Sequence, residues 1–101
     1  MAKTRQDLHN YLKTLIANVY YQPPENQKIK FDCIVYSRTR IDVTRADDHA
    51  YRLDHAYKLI HIHRNPDDPL IDTIASIDKC RFQRSFVVDQ LYHDEYILYW
   101  N

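Results

Sequence analysis

The chain has 101 residues, enough for one domain with helices packed on a single sheet but with little material left for a deep pocket. Its 14 basic and 14 acidic residues give a formal net charge of zero, so no net field attracts nucleic acid or an anionic membrane. There is no glycine, which excludes a glycine-rich phosphate-binding loop, whereas the nine tyrosines suit half-buried positions and subunit interfaces.

The sequence contains no apolar run long enough to span a bilayer, and no apolar stretch typical of a signal peptide follows Met1. We therefore expect a soluble intracellular protein. Cys33 and Cys80 are far apart in strand-like contexts, where cysteine usually serves as a small buried hydrophobe. A disulfide framework is not expected.

The first predicted element is an amphipathic helix. Thr4 and Asp7 have the spacing of a capping box. Apolar residues then recur every three or four positions, which predicts about four turns with one buried stripe, formed by Leu8, Tyr11, Leu12, Leu15, Ile16 and Val19. A core helix is favoured over a membrane-lying one, because the polar face is barely cationic. Pro23 and Pro24 are expected to end the helix, and Tyr20–Tyr21 is a candidate edge strand.

Alternation of apolar and polar residues at period two predicts strands between residues 28 and 64. The first strand, 28–37, has Ile29, Phe31, Cys33 and Val35 on one face, with Ile34 and Tyr36 covering part of the other, as in a central strand. A charged excursion, 38–54, follows, with a further strand near 39–44 and a turn at Asp47–Asp48. A long strand then ends at Arg64.

The second half opens at Asn65–Pro66, which fits a type I turn, and at Asp68–Pro69, which fits an N-cap followed by proline. A second helix should follow, ending near Asp78–Lys79, with a buried stripe of Leu70, Ile71, Ile74 and Ile77. Strands are predicted at 80–89 and 95–100, separated by a turn. The sequence therefore predicts one α+β domain over residues 1–101, with two helices on a mainly antiparallel or mixed sheet and a protruding charged β-hairpin.

Catalytic interpretations are weak. His61 and His63 project from one face of a strand, as His55 would, and three imidazoles could hold a zinc ion with a bound water. Tyr57 and Leu59 share that face, however, so we assign no metal ligand, and likewise no catalytic or cofactor-binding residue. Neither cysteine begins a helix, where a thiolate nucleophile would be stabilised.

A nucleic-acid-binding patch is a further alternative. It would consist of basic and aromatic residues close together in the sequence, namely Lys79, Arg81, Phe82, Arg84 and Phe86. A base could stack on Phe82, although a core position is the favoured interpretation of that residue.

The excursion 38–54 carries closely spaced opposite charges, and two interpretations remain open. One is a solvated hairpin whose charges discourage edge pairing. The other is an arm whose charges pair with another copy of the protein or with another subunit. The candidate interface residues are Arg38, Arg40, Asp42, Arg45, Asp47, Asp48, Tyr51 and Arg52.

Several segments between Tyr20 and Trp100 together suggest a family. They are residues 21–25, 29–36, 46–48, 64–68, 80–82 and 86–100. In these the chain resembles the small tail-completion, or tail-terminator, proteins of long-tailed bacteriophages and prophages, which are also labelled minor capsid or head–tail joining proteins. One departure is that related sequences often carry glycine in the segment matching Asp89-Gln90-Leu91.

The resemblance implies a structural virion protein that is not an enzyme and needs no cofactor. Such a protein forms a homohexameric ring on the last ring of tail-tube protein, stops tube polymerisation and offers a surface to head-completion proteins. Genomic DNA would pass through the lumen without sequence readout, with no membrane involved. The implied location is the virion tail at the head–tail interface, after assembly in the host cytoplasm. The alternatives are a head-completion or connector (neck) protein, a small metal-dependent enzyme and a nucleic-acid-binding module.

Overall fold

Five strands form a mixed sheet, and two helices lie against one of its faces. The computed structural model describes residues 4–100, except for the side chains at positions 50 and 51. In chain order the elements are α1 (Arg5–Leu15), β1 (Val19–Tyr21), β2 (Cys33–Ala46), β3 (His49–His63), α2 (Leu70–Ala75), β4 (Cys80–Val88) and β5 (Leu91–Tyr99). The order across the sheet is β1-β2-β3-β5-β4, with β1 parallel to β2 and the other pairs antiparallel. The predicted α+β fold is confirmed.

The core lies between the helices and one face of the sheet. Residues directly opposite each other in an antiparallel pair share a face, so the Tyr36–Leu59 pair marks the inner side. Leu8 and Leu12 of α1 and Ile74 of α2 pack onto this face and are completely buried. The apolar stripe of α1 is therefore part of the core, as predicted.

The capping box of α1 is confirmed, but the predicted helix length is wrong. Thr4 Oγ1 accepts a hydrogen bond from the Asp7 backbone N–H at 3.1 Å, and the Asp7 carboxylate accepts from the Thr4 N–H at 3.0 Å. The helix ends at Leu15 because Ile16 takes extended backbone geometry, with φ −151° and ψ 145°. Val19 pairs with Ile34 in β1. Sheet pairing thus ends the helix well before the prolines, while the candidate edge strand at Tyr20–Tyr21 is confirmed.

The β2 strand is shifted relative to its predicted bounds. It begins at Cys33, not at residue 28, and continues without interruption through the predicted excursion to Ala46. Ile29 and Phe31 belong to the preceding loop. Ile34 is completely buried against the helices, whereas Val35 on the opposite face is only partly buried, so the inner face is the one predicted to be secondary.

The second helix is shorter than predicted. Asn65 O accepts from the Asp68 N–H at 3.2 Å, which confirms the turn. The N-cap position is Pro69, one residue later than predicted, although Asp68 Oδ1 accepts from the Leu70 N–H at 2.9 Å. Regular helix nevertheless ends at Ala75, because the chain then turns to enter β4. The last strand begins at Leu91, earlier than the predicted residue 95.

Two hairpin turns form without glycine. Asp47 and Asp48 connect β2 to β3 with φ values of 50° and 63°, and Asp89 and Gln90 connect β4 to β5 with 50° and 66°. Positive φ at both central residues is the signature of a type I′ turn. Aspartate tolerates this left-handed geometry, whereas glutamine has no such preference. Gln90 therefore leaves the turn intact at some cost in stability.

We predict that Gln90→Gly raises the free energy of unfolding by about 1 kcal/mol, since glycine adopts the left-handed conformation without a Cβ clash. Urea denaturation measures the change. The control is Ser85→Gly, an exposed strand position, which should lower the unfolding free energy by roughly 0.5–1 kcal/mol. Destabilisation by both substitutions would contradict the proposed strain at Gln90.

Candidate functional site

The β2–β3 hairpin extends beyond the rest of the sheet. Pairing of β1 with β2 ends at Tyr36, and pairing of β5 with β3 ends at Ala56. Residues 39–55, which we call the arm, therefore form a two-stranded ribbon with no neighbouring strand on either edge among the described residues. The arm contributes to an elongated molecule with dimensions of 51 × 29 × 23 Å.

The two faces of the arm differ in chemistry. One face carries charged side chains that pair with each other: Arg40 with Asp42 at 3.5 Å, and Arg52 with Asp54 at 2.9 Å. The opposite face carries the side chains of Ile41, Val43 and Leu53, which are 45%, 41% and 50% exposed. The register pairs Val43 directly with Leu53, so these side chains form one exposed apolar strip.

The structure divides the predicted interface residues into two groups. Arg38, at the root of the arm, donates a hydrogen bond to the Tyr57 hydroxyl at 2.9 Å, and this bond raises the pKa of Arg38. Arg40 donates to the Tyr99 hydroxyl, which itself donates to Asp42 at 2.8 Å. Together with Arg52, these residues make contacts within one subunit, which orient the arm and its charged face.

The remaining predicted interface residues lie at the tip of the arm. Arg45, Asp47 and Asp48 are exposed there, around the hairpin turn. The side chain of Tyr51 lies outside the described part of the chain. Sequence reasoning did not include the apolar strip in the interface, although the alternation of Ile41 and Val43 was visible. What the sequence did not show is that neither α1 nor α2 covers this face of the arm.

A groove of about 630 Å³ lies between the charged face of the arm and the adjoining face of β4 and β5. Its charged lining consists of the cations Arg40, Arg52, Lys79 and Arg81 and the carboxylates Asp42 and Asp54. This mixed lining suits a surface that is itself charged with both signs better than it suits a nucleic-acid backbone.

The predicted basic and aromatic patch is divided between the two faces of β4. Phe82 packs edge-on against Tyr96 on the helix side and is 50% exposed, so its predicted core position is wrong. Phe86 lies on the other face, where it stacks on His93 and lies beneath Arg84. The two phenyl rings therefore do not form one stacking platform.

A second candidate site lies at the opposite end of β3 from the arm. His61 and His63 lie side by side with ring centroids 4.3 Å apart, and Asp94 of β5 lies opposite His61 in the register. All three are buried, and one ligand atom from each lies within 4.8 Å of the others. Burial, and then the neighbouring His63, lowers the pKa of His61 to about 4. His61 is therefore neutral at physiological pH.

His55 does not belong to this cluster. It shares the face of β3 with His61, as predicted, but a strand rises about 3.3 Å per residue, which separates the two positions by roughly 20 Å. The alternation pattern predicted correctly that His55 lies on the same face of β3 as His61. The distance along the strand nevertheless excludes His55 from the cluster of His61, His63 and Asp94. The third member is Asp94, which the sequence could not place beside β3 without the strand order.

Both cysteines are unsuited to act as nucleophiles. Burial raises the pKa of the Cys33 thiol to about 11, with a further contribution from Asp32, and burial raises that of Cys80 to about 11. Both thiols are free, as expected. At neutral pH they remain protonated.

We predict that alkylation of the native protein by iodoacetamide at pH 7 is roughly 100-fold slower per thiol than that of the denatured chain, since two pKa units lower the thiolate fraction by that factor. Mass spectrometry over time measures the rates, with the urea-denatured protein as control. Equal rates in the two states would show that a thiolate is accessible.

None of the described helices is long and apolar enough to cross a membrane. Comparison of the chain with protein-family models, with curated proteins and with solved structures gave no match.

Proposed function

We propose that this protein is a structural assembly subunit that associates head to tail with copies of itself to form a ring, and that the ring acts as a phage tail terminator. The observation that carries the proposal is the arm, with its exposed strip of Ile41, Val43 and Leu53. The resemblance to tail-completion proteins supplies the specific role.

The physical argument starts from the marginal stability of an isolated two-stranded ribbon in water. The arm keeps three large aliphatic side chains about half exposed on one face. Burying the remaining apolar surface of each would contribute on the order of 1 kcal/mol. A partner that covers the strip therefore stabilises both the arm and the complex.

The partner surface that we assign to the next subunit is the outer edge of β4. This strand is last in the sheet order, so its outer backbone groups have no strand partner within the described chain. Phe82 and Val87 of β4 are 50% and 59% exposed. Because the arm and the β4 edge are different surfaces, their contact is heterologous, and a heterologous contact that closes produces a ring.

The charges of the chain agree with a terminator that surrounds DNA. The net charge is zero, and the arm alternates basic with acidic side chains. A lumen without strong charge of either sign would let DNA pass without being held. We therefore expect that the isolated protein does not bind DNA tightly.

We predict that the triple substitution Ile41→Thr, Val43→Thr and Leu53→Thr abolishes self-association while the subunit stays folded. Threonine is β-branched, which favours strands at all three positions, but it has less apolar surface. Analytical ultracentrifugation measures the mass, and circular dichroism checks the fold. The control is Phe31→Thr, which removes an exposed apolar side chain from the loop before β2, at the end of the sheet away from the arm. Loss of assembly in the control alone would contradict an interface on the arm.

A mixing experiment tests the head-to-tail arrangement. The arm variant and a β4-edge variant, Val87→Asp, should each remain monomeric, and an equimolar mixture should form heterodimers that grow no further. Each heterodimer would use the intact arm of one variant and the intact edge of the other. If the contact joined arm to arm, Val87→Asp would assemble normally.

The terminator role is tested in virions assembled without this protein. Electron microscopy should show overlong tail tubes, because nothing stops polymerisation. Tubes of normal length that do not join heads would instead identify a connector. Normal tails joined to heads would contradict both roles.

A further inference from the structure

Three potential metal ligands converge where β3 and β5 meet the loop before α2, and a fourth lies beside one of them. His61, His63 and Asp94 are buried, and one ligand atom from each lies within 4.8 Å of the others. Asp68, from the loop, places Oδ2 3.8 Å from His61 Nε2. The side chain of Asp68 is 21% exposed, which gives the group a connection to solvent.

The imidazole of His61 lacks hydrogen-bond partners. Neither Nδ1 nor Nε2 forms a hydrogen bond within the described part of the chain, although the residue is completely buried. Buried polar groups are nearly always paired, so two unpaired nitrogens on one ring indicate that a further group belongs at this position. A single atom between His61 and the carboxylates would satisfy Nε2.

The contacts of His63 lead to the same position. Its Nδ1 lies 2.7 Å from Asn65 O, which can only accept, so Nδ1 carries a proton. Its Nε2 lies 2.5 Å from Asp94 Oδ2. At this distance Nε2 and the carboxylate share a proton in a short hydrogen bond. The shared proton satisfies His63 and Asp94 but leaves His61 unpaired. A metal ion that displaced this proton to solvent would bind all three residues.

We propose that His61, His63, Asp94 and Asp68 form a structural Zn²⁺ site. Two imidazole nitrogens and two carboxylate oxygens are ligands that zinc accepts, and four protein ligands are typical of a closed structural site. Ligand atoms around tetrahedral zinc lie about 3.3 Å apart. On zinc binding, His63 Nε2 and Asp94 Oδ2 would therefore separate from 2.5 Å, and His61 Nε2 and Asp68 Oδ2 would approach each other from 3.8 Å. This proposal differs from the sequence-based expectation, which assigned no metal ligand.

Neighbouring groups already orient the ligands. The hydrogen bond from His63 Nδ1 to Asn65 O directs Nε2 towards the cluster, as backbone carbonyls do for histidines that bind metals. Asp68 Oδ1 accepts from the N–H of Leu70, the first residue of α2, which leaves Oδ2 facing His61. A bound ion would therefore connect β3, β5 and the start of α2, and it would hold that helix against the sheet.

The experiment uses the full chain after treatment with a chelator. Titration with Zn²⁺ in a calorimeter should show one equivalent bound, and Zn²⁺ should raise the melting temperature. In Asp94→Asn and in His61→Leu, zinc affinity should fall by at least about 100-fold, and the rise in melting temperature should disappear. Asp94→Asn preserves the shape of the side chain and keeps a hydrogen-bond acceptor for His63. If His61→Leu fails to fold, the zinc affinity of Asp94→Asn therefore tests the proposed site.

The matched control is His93→Leu. His93 lies on β5 beside Asp94 but on the other face of the sheet, where it stacks on Phe86. This variant should bind zinc as the unmodified chain does. The proposal would be overturned if the chelator-treated chain bound no zinc at micromolar concentrations, or if His93→Leu reduced binding as much as Asp94→Asn.

Discussion

The pairing of β2 with β3 is the interaction on which the rest of the structure depends. It runs from Cys33–Ile62 at one end to Ala46–His49 at the other. The first half of this ladder forms the centre of the sheet, flanked by β1 and β5, and supports both helices. The second half continues alone as the arm. One hairpin thus supplies both the core and the surface that we assign to assembly, so a slip in its register would move buried side chains to the outer face.

Tyrosines make an unusually large contribution to the core. Tyr36, Tyr57 and Tyr96 are at most 1% exposed, and each hydroxyl has a polar partner. The hydroxyl of Tyr36 lies 2.8 Å from His9 Nδ1 and 3.0 Å from Arg5 Nη1, both on α1. Buried tyrosines with paired hydroxyls combine a large apolar surface with a directional contact. These contacts fix the position of α1 on the sheet more specifically than aliphatic packing alone would.

The sequence was informative wherever local chemistry decides the structure. The capping box at Thr4, the turn at Asn65 and the hairpin at Asp47–Asp48 were all predictable, because each depends on residues within a few positions of one another. Element bounds were less predictable. The amphipathic pattern of α1 continues to Val19, but pairing with a strand more than ten residues away decides that Val19 belongs to β1.

In the candidate sites, too, local patterns were predictable from the sequence, whereas contacts between distant segments were not. Period-two alternation placed His61 and His63 on one face, but which residue lies beside them depends on the strand order, and that order brings in Asp94. The charged residues of the arm were visible in the sequence, whereas the exposure of Ile41, Val43 and Leu53 was not. An apolar residue in an alternating strand is expected to face a core, and only the fold shows that the helices stop short of the arm.

The contacts at the root of the arm bear on how many copies a closed assembly can contain. The Tyr99 hydroxyl bonds to both Arg40 and Asp42 on one face of the sheet, and Arg38 bonds to Tyr57 on the other face, so the arm leaves the sheet in a set direction. In a ring, the rotation from one copy to the next follows from that direction. The stoichiometry would then be encoded by a few polar contacts inside a single subunit, far from the surfaces that touch.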